Sequence, residues 1–206
     1  MEQQIAIIKQ WLGTGSVNVF GLPFSGKDTV GIRLAELLGA KFLSSGLILR
    51  AAEKEDSNLA KELSAGNLAP TQTFRNVILP YFGREELANA PLVLSSVGRW
   101  EGEEFPVMEA ARSANHEIKA VVLLNISEED AQNRWDVAKT LGDRGDRSDD
   151  REKTVLENRI KEFREKTMPV IETYRKMGIL LPVQATGTRE EVFANVIEAL
   201  AKLAQA

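Results

Sequence analysis

The sequence predicts an α/β protein in which a parallel sheet is covered by helices on both faces. Five short runs rich in β-branched residues or leucine lie at 17–20, 41–43, 92–96, 120–125 and 180–184. The fourth, AVVLLN, is apolar at consecutive positions, as a strand buried on both faces must be. Helically spaced apolar residues fall between these runs, and strands alternating with helices build parallel sheets through right-handed crossovers. The chain has 206 residues, which at roughly 150 residues per domain favours a single domain with room for a small insertion.

The elements follow in order. Residues 1–12 predict an amphipathic helix with Ile5, Ile8 and Leu12 on one face, packed against a sheet edge. Gly13, Gly15 and Ser16 end it before the first strand. Residues 29–38 predict a helix burying Val30, Leu34 and Leu37 or Leu38. Residues 154–174 keep helical spacing through Leu156, Ile160, Phe163, Val170, Ile171 and Tyr174, with a kink expected at Pro169. His116 is expected at the surface, leading into the fourth strand.

Composition removes several classes of function. With 26 Lys+Arg against 30 Asp+Glu the formal charge is −4, a poor match to a nucleic-acid partner. Hydrophobic residues at 43% and charged residues at 27% describe a folded domain rather than a disordered one. No cysteine is present, which excludes disulfides, thiolate metal sites and thiol nucleophiles. A single histidine leaves no two-histidine zinc motif. Nothing approaches the roughly 20 apolar residues of a membrane span, and no basic targeting segment leads the chain. A cytoplasmic protein is expected.

The most informative stretch is Gly21-Leu22-Pro23-Phe24-Ser25-Gly26-Lys27-Asp28-Thr29, directly after the first strand. Gly21, four residues, then Gly26-Lys27 is the spacing of a phosphate-binding P-loop. Backbone N–H groups at the tight turn wrap a phosphate, the next helix offers its positive end, and Lys27 reaches the outer phosphates. Phe24, Ser25, Gly26, Lys27, Asp28 and Thr29 are therefore candidate phosphate-binding residues, the ATP-binding set if the phosphate is that of ATP. The hydroxyl that ordinarily follows the lysine is replaced by Asp28.

Further motifs, in order, resemble those of the adenylate kinase-like nucleoside monophosphate kinases. Gly21 to Thr29 resembles GxPGxGKGT, and Ser44-Ser45-Gly46-Leu47-Ile48-Leu49-Arg50 resembles STGDMLR. Gly66-Asn67-Leu68-Ala69 resembles GKLV, and Leu94-Ser95-Ser96-Val97-Gly98-Arg99 takes the place of LDGFPR. Arg147-Ser148-Asp149-Asp150 resembles RxDD, Asn158-Arg159-Ile160 resembles KRL, and Thr167-Met168-Pro169-Val170-Ile171 resembles TAPLI. The resemblance implies a three-layer P-loop NTPase fold on residues 17–206, preceded by an N-terminal helical extension at 1–16. Within it lie a five-stranded parallel sheet, a helical NMP-binding insertion at about 45–81 and a short lid at about 136–148. A lid this short implies no structural zinc.

The resemblance also implies the chemistry, γ-phosphoryl transfer from ATP to a nucleoside monophosphate with Mg²⁺, by a monomer. Lys27 would hold donor phosphates, Arg50 and Arg99 the acceptor phosphate, and Arg147 and Arg159 the phosphates on closure. Arg134 would lie against the donor base, with Gly187 beside it. Ser45, Leu68, Ala69, Gly98 and Glu103 would border the acceptor. Arginine suits these roles because its planar fork grips phosphate bidentately, although solvated surface arginines are common and contribute little.

Two departures from the family pattern matter. The acids of TGD and LDGFPR are Leu47 and Ser95 here, which leaves open a non-catalytic P-loop nucleotide-binding protein that has lost magnesium handling. Asp28 could hold the ion's water shell in their stead, or could simply favour the helix N-terminus. The adenine-reading glutamine of the family is Glu103 here. An ionised carboxylate only accepts hydrogen bonds, which suits the N–H groups of guanine or uracil, unless Glu103 faces solvent.

Overall fold

The computed structural model describes residues 1–141 and 152–206. Five strands form one parallel sheet: β1 (Ser16–Gly21), β2 (Lys41–Ser44), β3 (Leu92–Ser95), β4 (Ile118–Asn125) and β5 (Leu180–Gln184), in the order β2-β3-β1-β4-β5. Each lies on an apolar run seen in the sequence. All four pairings are parallel, with Val17 opposite Val93 and Ala120, and Val122 opposite Leu181. Their order reverses beside β1, the switch point where open α/β sheets bind ligands at the carboxyl ends of their strands.

The two-residue period of the strands makes two cores. Val17 and Val19 of β1, with Ala120, Val122 and Leu124 of β4, face α1 (Glu2–Leu12), α2 (Lys27–Leu38) and α10 (Arg189–Gln205). Phe20, Leu94, Val121 and Leu123 face the opposite layer. That layer holds α3 (Ser45–Ala52), α4 (Ser57–Ser64), α5 (Thr71–Val77), α6 (Glu104–Ser113) and α9 (Met168–Lys176). A third, smaller cluster joins Phe24 to Trp135 of α7 (Glu128–Leu141) and to Leu156 and Ile160 of α8 (Lys153–Glu162).

Two sequence expectations change, and a third takes a specific form. The N-terminal helix does not cap a sheet edge: Ile8 and Leu12 are buried on a sheet face, where α1 packs on α10 and α2. Two flanking helices leave a groove over the central strands, and the apolar stripe of α1 fills it. His116 is buried, with Nδ1 3.0 Å from the Thr14 carbonyl oxygen. Its own carbonyl accepts from Ser16 Oγ at 2.8 Å, so it staples the turn into β1 to the start of β4. The Pro169 kink is a π-helical turn, Phe163–Thr167, joining α8 to α9. Proline cannot donate to the preceding turn and its ring crowds the carbonyl four residues back; one wide turn accommodates both.

Candidate active site

β1 delivers the chain to the phosphate loop and α2 carries it away. At Gly21 a Cβ would fall 2.4 Å from Ser25 Oγ, so the turn closes only around glycine. Gly26 enters α2 at φ 88°, and Phe24, where the family pattern has glycine, adopts φ 64°. This left-handed conformation costs a bulky residue of order 1–3 kcal/mol. It persists because the Phe24 side chain is buried against Trp135, Leu156 and Ile160.

A second loop leaves β3 beside the first. Asn18, buried in β1, grips it through both amide atoms: Nδ2 donates to the Val97 carbonyl at 2.8 Å, and Oδ1 accepts from its N–H at 3.3 Å. Ser96 and Gly98 take φ 51° and 81°. A Cβ on Gly98 would press on Val107 Cγ2 at 3.0 Å. Gly98 therefore shapes the loop, and it does not line the cavity. Glu103 closes the turn, its Oε2 accepting from the N–H groups of Arg99 and Trp100 at 2.8 and 3.0 Å. Glu103 is only 2% exposed, so it does not face solvent. Burial raises the pKa of its carboxyl, opposed by the N–H groups of Trp100 and Arg99 and by the Thr71 hydroxyl. Its other oxygen, Oε1, is buried without a hydrogen bond of ordinary geometry among the described residues.

These loops wall one side of a cavity, and α3 to α5 and Arg159 of α8 wall the other. Lys27, Asp28, Ser45, Arg50, Leu68, Ala69, Arg99, Glu103 and Arg159 all line it. Four cations thus converge in a protein of net negative charge. Arg99 carries the largest electrostatic burden: burial and then the facing charge of Arg159 lower its pKa to about 10, with Glu162, Glu103 and Asp28 opposing. Its Nε is buried and makes no hydrogen bond among the described residues. At neutral pH it is still charged. Such a cation is relieved by an anion entering between it and Arg159.

Several expected contact residues already bond to the protein. Ser45 Oγ donates to the Ser96 carbonyl at 2.7 Å. Glu162 Oε2 accepts from the Leu68 N–H at 3.0 Å, and the Ala69 carbonyl accepts from Trp100 Nε1 at 2.9 Å. The Leu68 N–H and the Ala69 carbonyl are thus already engaged within the protein.

A wider cleft of about 680 Å³ opens on the other side of the phosphate loop. Phe24, Ser25, Gly26, Thr29, Arg134 and Gly187 line it. Arg134 Nη1 donates to the carbonyls of Phe24 and Ser25 at 3.4 and 3.3 Å, and Nη2 to that of Ala185. The guanidinium thus clamps the phosphate loop to the segment after β5, and its flat face is what remains for a base. Gly187, at φ 108°, would set a Cβ 2.7 Å from Glu191 Oε2.

Arg147 lies outside the described residues, as do Arg144 and Arg151. The lid expected at 136–148 is described only to Leu141, and residues 136–141 form the last turns of α7. Two positioning residues escaped the sequence reading. Asn18 is a polar residue inside an apolar strand, which by itself demands buried partners. Glu162 left no comparable signal, because an acid on an exposed-looking helix is ordinary.

A phosphate loop at the switch point of a parallel sheet, opposed by clustered arginines, defines a P-loop kinase. The AAA domain family matches residues 20–157. Adenylate kinases of Mycobacterium bovis and Mycobacterium tuberculosis are each 33% identical over 190 residues, covering 90% of this chain and 99% of theirs. That of Mycobacterium ulcerans is 30% identical over the same shares. The chain belongs to the adenylate kinase-like nucleoside monophosphate kinase family. Among the described residues no helix is long and apolar enough to cross a membrane.

Proposed function

We propose that the protein transfers the γ-phosphoryl group of ATP to a nucleoside monophosphate, forming ADP and a nucleoside diphosphate. The observation that carries this reading is the buried, burdened Arg99 facing Arg159 beside the phosphate-loop Lys27. A site that only held one nucleotide would have little use for cations on the acceptor side. In the reaction, an oxygen of the acceptor phosphate forms a bond to the γ-phosphorus. The bond to the β,γ-bridging oxygen breaks, and ADP leaves with that electron pair. The protein's work is alignment and neutralisation of charge.

In this reading Lys27 holds the donor phosphates, while Arg50 and Arg99 hold the acceptor phosphate. Arg159 and Arg147 span both on closure. The donor base enters the wider cleft, against Arg134, Thr29 and Gly187. Asp28 and Ser95 place oxygen donors beside Lys27 that would hold Mg²⁺ bound with ATP, which would offset charge on the donor phosphates. The acceptor cavity encloses about 120 Å³, below the roughly 300 Å³ at which ligand sites usually begin. A nucleotide therefore enters by outward movement of α3 to α5, and their return excludes water from the transfer.

Glu103 directs the choice of base. With Oε2 held by two backbone N–H groups and the Thr71 hydroxyl also against the carboxyl, Oε1 is the oxygen left to accept from a base. It matches the imide N–H of uracil or the N1–H of guanine, whereas adenine presents a bare N1. ³¹P NMR with ATP, Mg²⁺ and AMP, GMP, CMP, UMP or dTMP in separate tubes tests both claims. A nucleoside diphosphate is expected from at least one acceptor, with GMP or UMP ahead of AMP. Glu103→Gln keeps an oxygen for the loop and turns the other group into a donor. It should shift the AMP preference upward by about 10-fold in kcat/KM, the scale of one hydrogen bond. ATP intact in every tube, with nucleotide still bound, would overturn catalysis and leave a nucleotide-binding protein. AMP clearly ahead and unmoved by Glu103→Gln would overturn the base assignment alone.

A further inference from the structure

The structure assigns divalent-cation binding to the pair Asp28 and Ser95, and this rests on the reading of the site as a phosphoryl-transfer centre. In P-loop NTPases the hydroxyl of the residue after the lysine and a carboxylate elsewhere in the fold together hold the magnesium ion. In this chain the carboxylate stands on the other side of the contact: the family pattern has glycine where Asp28 is and aspartate where Ser95 is, while Thr29 keeps the loop's hydroxyl. The residue after Lys27 is an aspartate, and the residue closing β3, next to the strand that feeds the phosphate loop, is a serine.

The two side chains meet: Ser95 Oγ donates to Asp28 Oδ1 at 2.5 Å. Both line the cavity that also holds Lys27, Arg50, Arg99 and Arg159. A lone acid at a helix N-terminus would have no need of a partner from a neighbouring strand. Here α2 and β3 bring a carboxylate and a hydroxyl to one point, at the mouth of the phosphate loop. The Ser95 oxygen, having donated its proton to Asp28, keeps lone pairs that can accept from a metal-held water.

The donor set suits Mg²⁺ in particular. That ion dehydrates reluctantly and is bound through one or two carboxylates plus substrate phosphates, keeping several waters. Among the described residues no group of three or more His, Cys, Asp or Glu side chains could cage a metal directly. Leu47 is half exposed and is not part of the cavity wall. Asp28 and Ser95 thus take over the work of the acids missing at 47 and 95. One carboxylate has moved across the contact without being lost.

Electron paramagnetic resonance of Mn²⁺, standing in for Mg²⁺, tests the assignment on the full-length protein. Mn²⁺ is titrated into protein saturated with an ATP analogue whose β,γ-bridging oxygen is NH, and nucleotide affinity is measured separately in EDTA. Asp28→Asn should weaken Mn²⁺ binding to the ternary complex about 10-fold while the affinity in EDTA changes less than about 3-fold. Asp28→Gly should behave like Asp28→Asn. The double variant Asp28→Gly/Ser95→Asp, which restores the family pattern at both positions, should recover Mn²⁺ affinity to within about 3-fold of the parent. Parental Mn²⁺ affinity in Asp28→Asn, or a double variant no better than Asp28→Gly, would overturn the assignment. Failure of the parent protein to bind the analogue at all, with or without metal, would instead overturn the phosphoryl-transfer reading on which it rests.

Discussion

Arg99→Met is expected to lower kcat/KM by about 10²–10³-fold, the scale for losing one preorganised charge-stabilising donor, while leaving the melting temperature unchanged or raised. The two halves of this result come from one fact. The Arg99 guanidinium is buried beside Arg159, and its pKa falls from the ordinary arginine value to about 10. Because the folded value lies below the unfolded one, the charged form is disfavoured by folding. That penalty is complete below about pH 10 and relaxes only as pH rises from there toward the ordinary arginine value. At neutral pH the resting protein bears the whole of it. An apolar side chain of similar length removes the penalty, as replacement of buried charges by apolar groups often does.

The same variant should lose a second property. Millimolar phosphate or sulfate should raise the melting temperature of the parent by mass action on the folded state, and Arg99→Met should not respond. Steady-state kinetics together with thermal unfolding, each with and without sulfate, checks all three. A sharp fall in melting temperature on substitution would show that Arg99 serves the fold and not the acceptor.

Phe24→Ala is expected to cost about 3–5 kcal/mol of stability, the range for truncating a buried phenylalanine. At roughly 2–4 °C per kcal/mol for a chain of this size, the melting temperature should drop by about 10 °C. The ring holds the phosphate loop against Trp135 of α7 and Leu156 and Ile160 of α8, the two helices that flank residues 142–151. Nucleotide affinity should fall with it. Phe24→Gly should be more stable than Phe24→Ala by about 1 kcal/mol, because φ 64° strains any residue with a Cβ and does not strain glycine. Alanine exceeds glycine at most positions; the reversed order is diagnostic. Denaturant unfolding of the three proteins decides it, and an alanine variant more stable than the glycine one would place the strain elsewhere.

The part of the fold legible in the sequence was the part set by local chemistry. The runs 17–20 and 120–125 declared buried strands because covered strands admit few polar residues. Gly21 and Gly26 declared the phosphate turn: a Cβ at Gly21 would meet Ser25 Oγ, and Gly26 takes φ 88°, where a Cβ is strained. Lys27, Arg50, Arg99 and Arg159 were legible as motif members, and the fold brings all four to one cavity.

What the sequence left open depended on partners far along the chain. His116 reads as an ordinary surface residue until Thr14 and Ser16, 102 and 100 positions away, are brought against it. The helix at Glu2–Leu12 shows which face is apolar, but only folding brings α2 and α10, the latter some 190 residues on, against that face. Glu103 could be placed near the acceptor from the motif alone. That one of its oxygens is spent on the N–H groups of Arg99 and Trp100 is a matter of how the turn closes. Asp28 and Ser95 each read as a departure from pattern, a carboxylate gained and a carboxylate lost. The pairing of β1 with β3 makes them neighbours and turns two departures into one relocated carboxylate. Sequence fixes what each residue can donate, accept or bury; which of those capacities is used is decided by the groups that folding brings within about 3 Å.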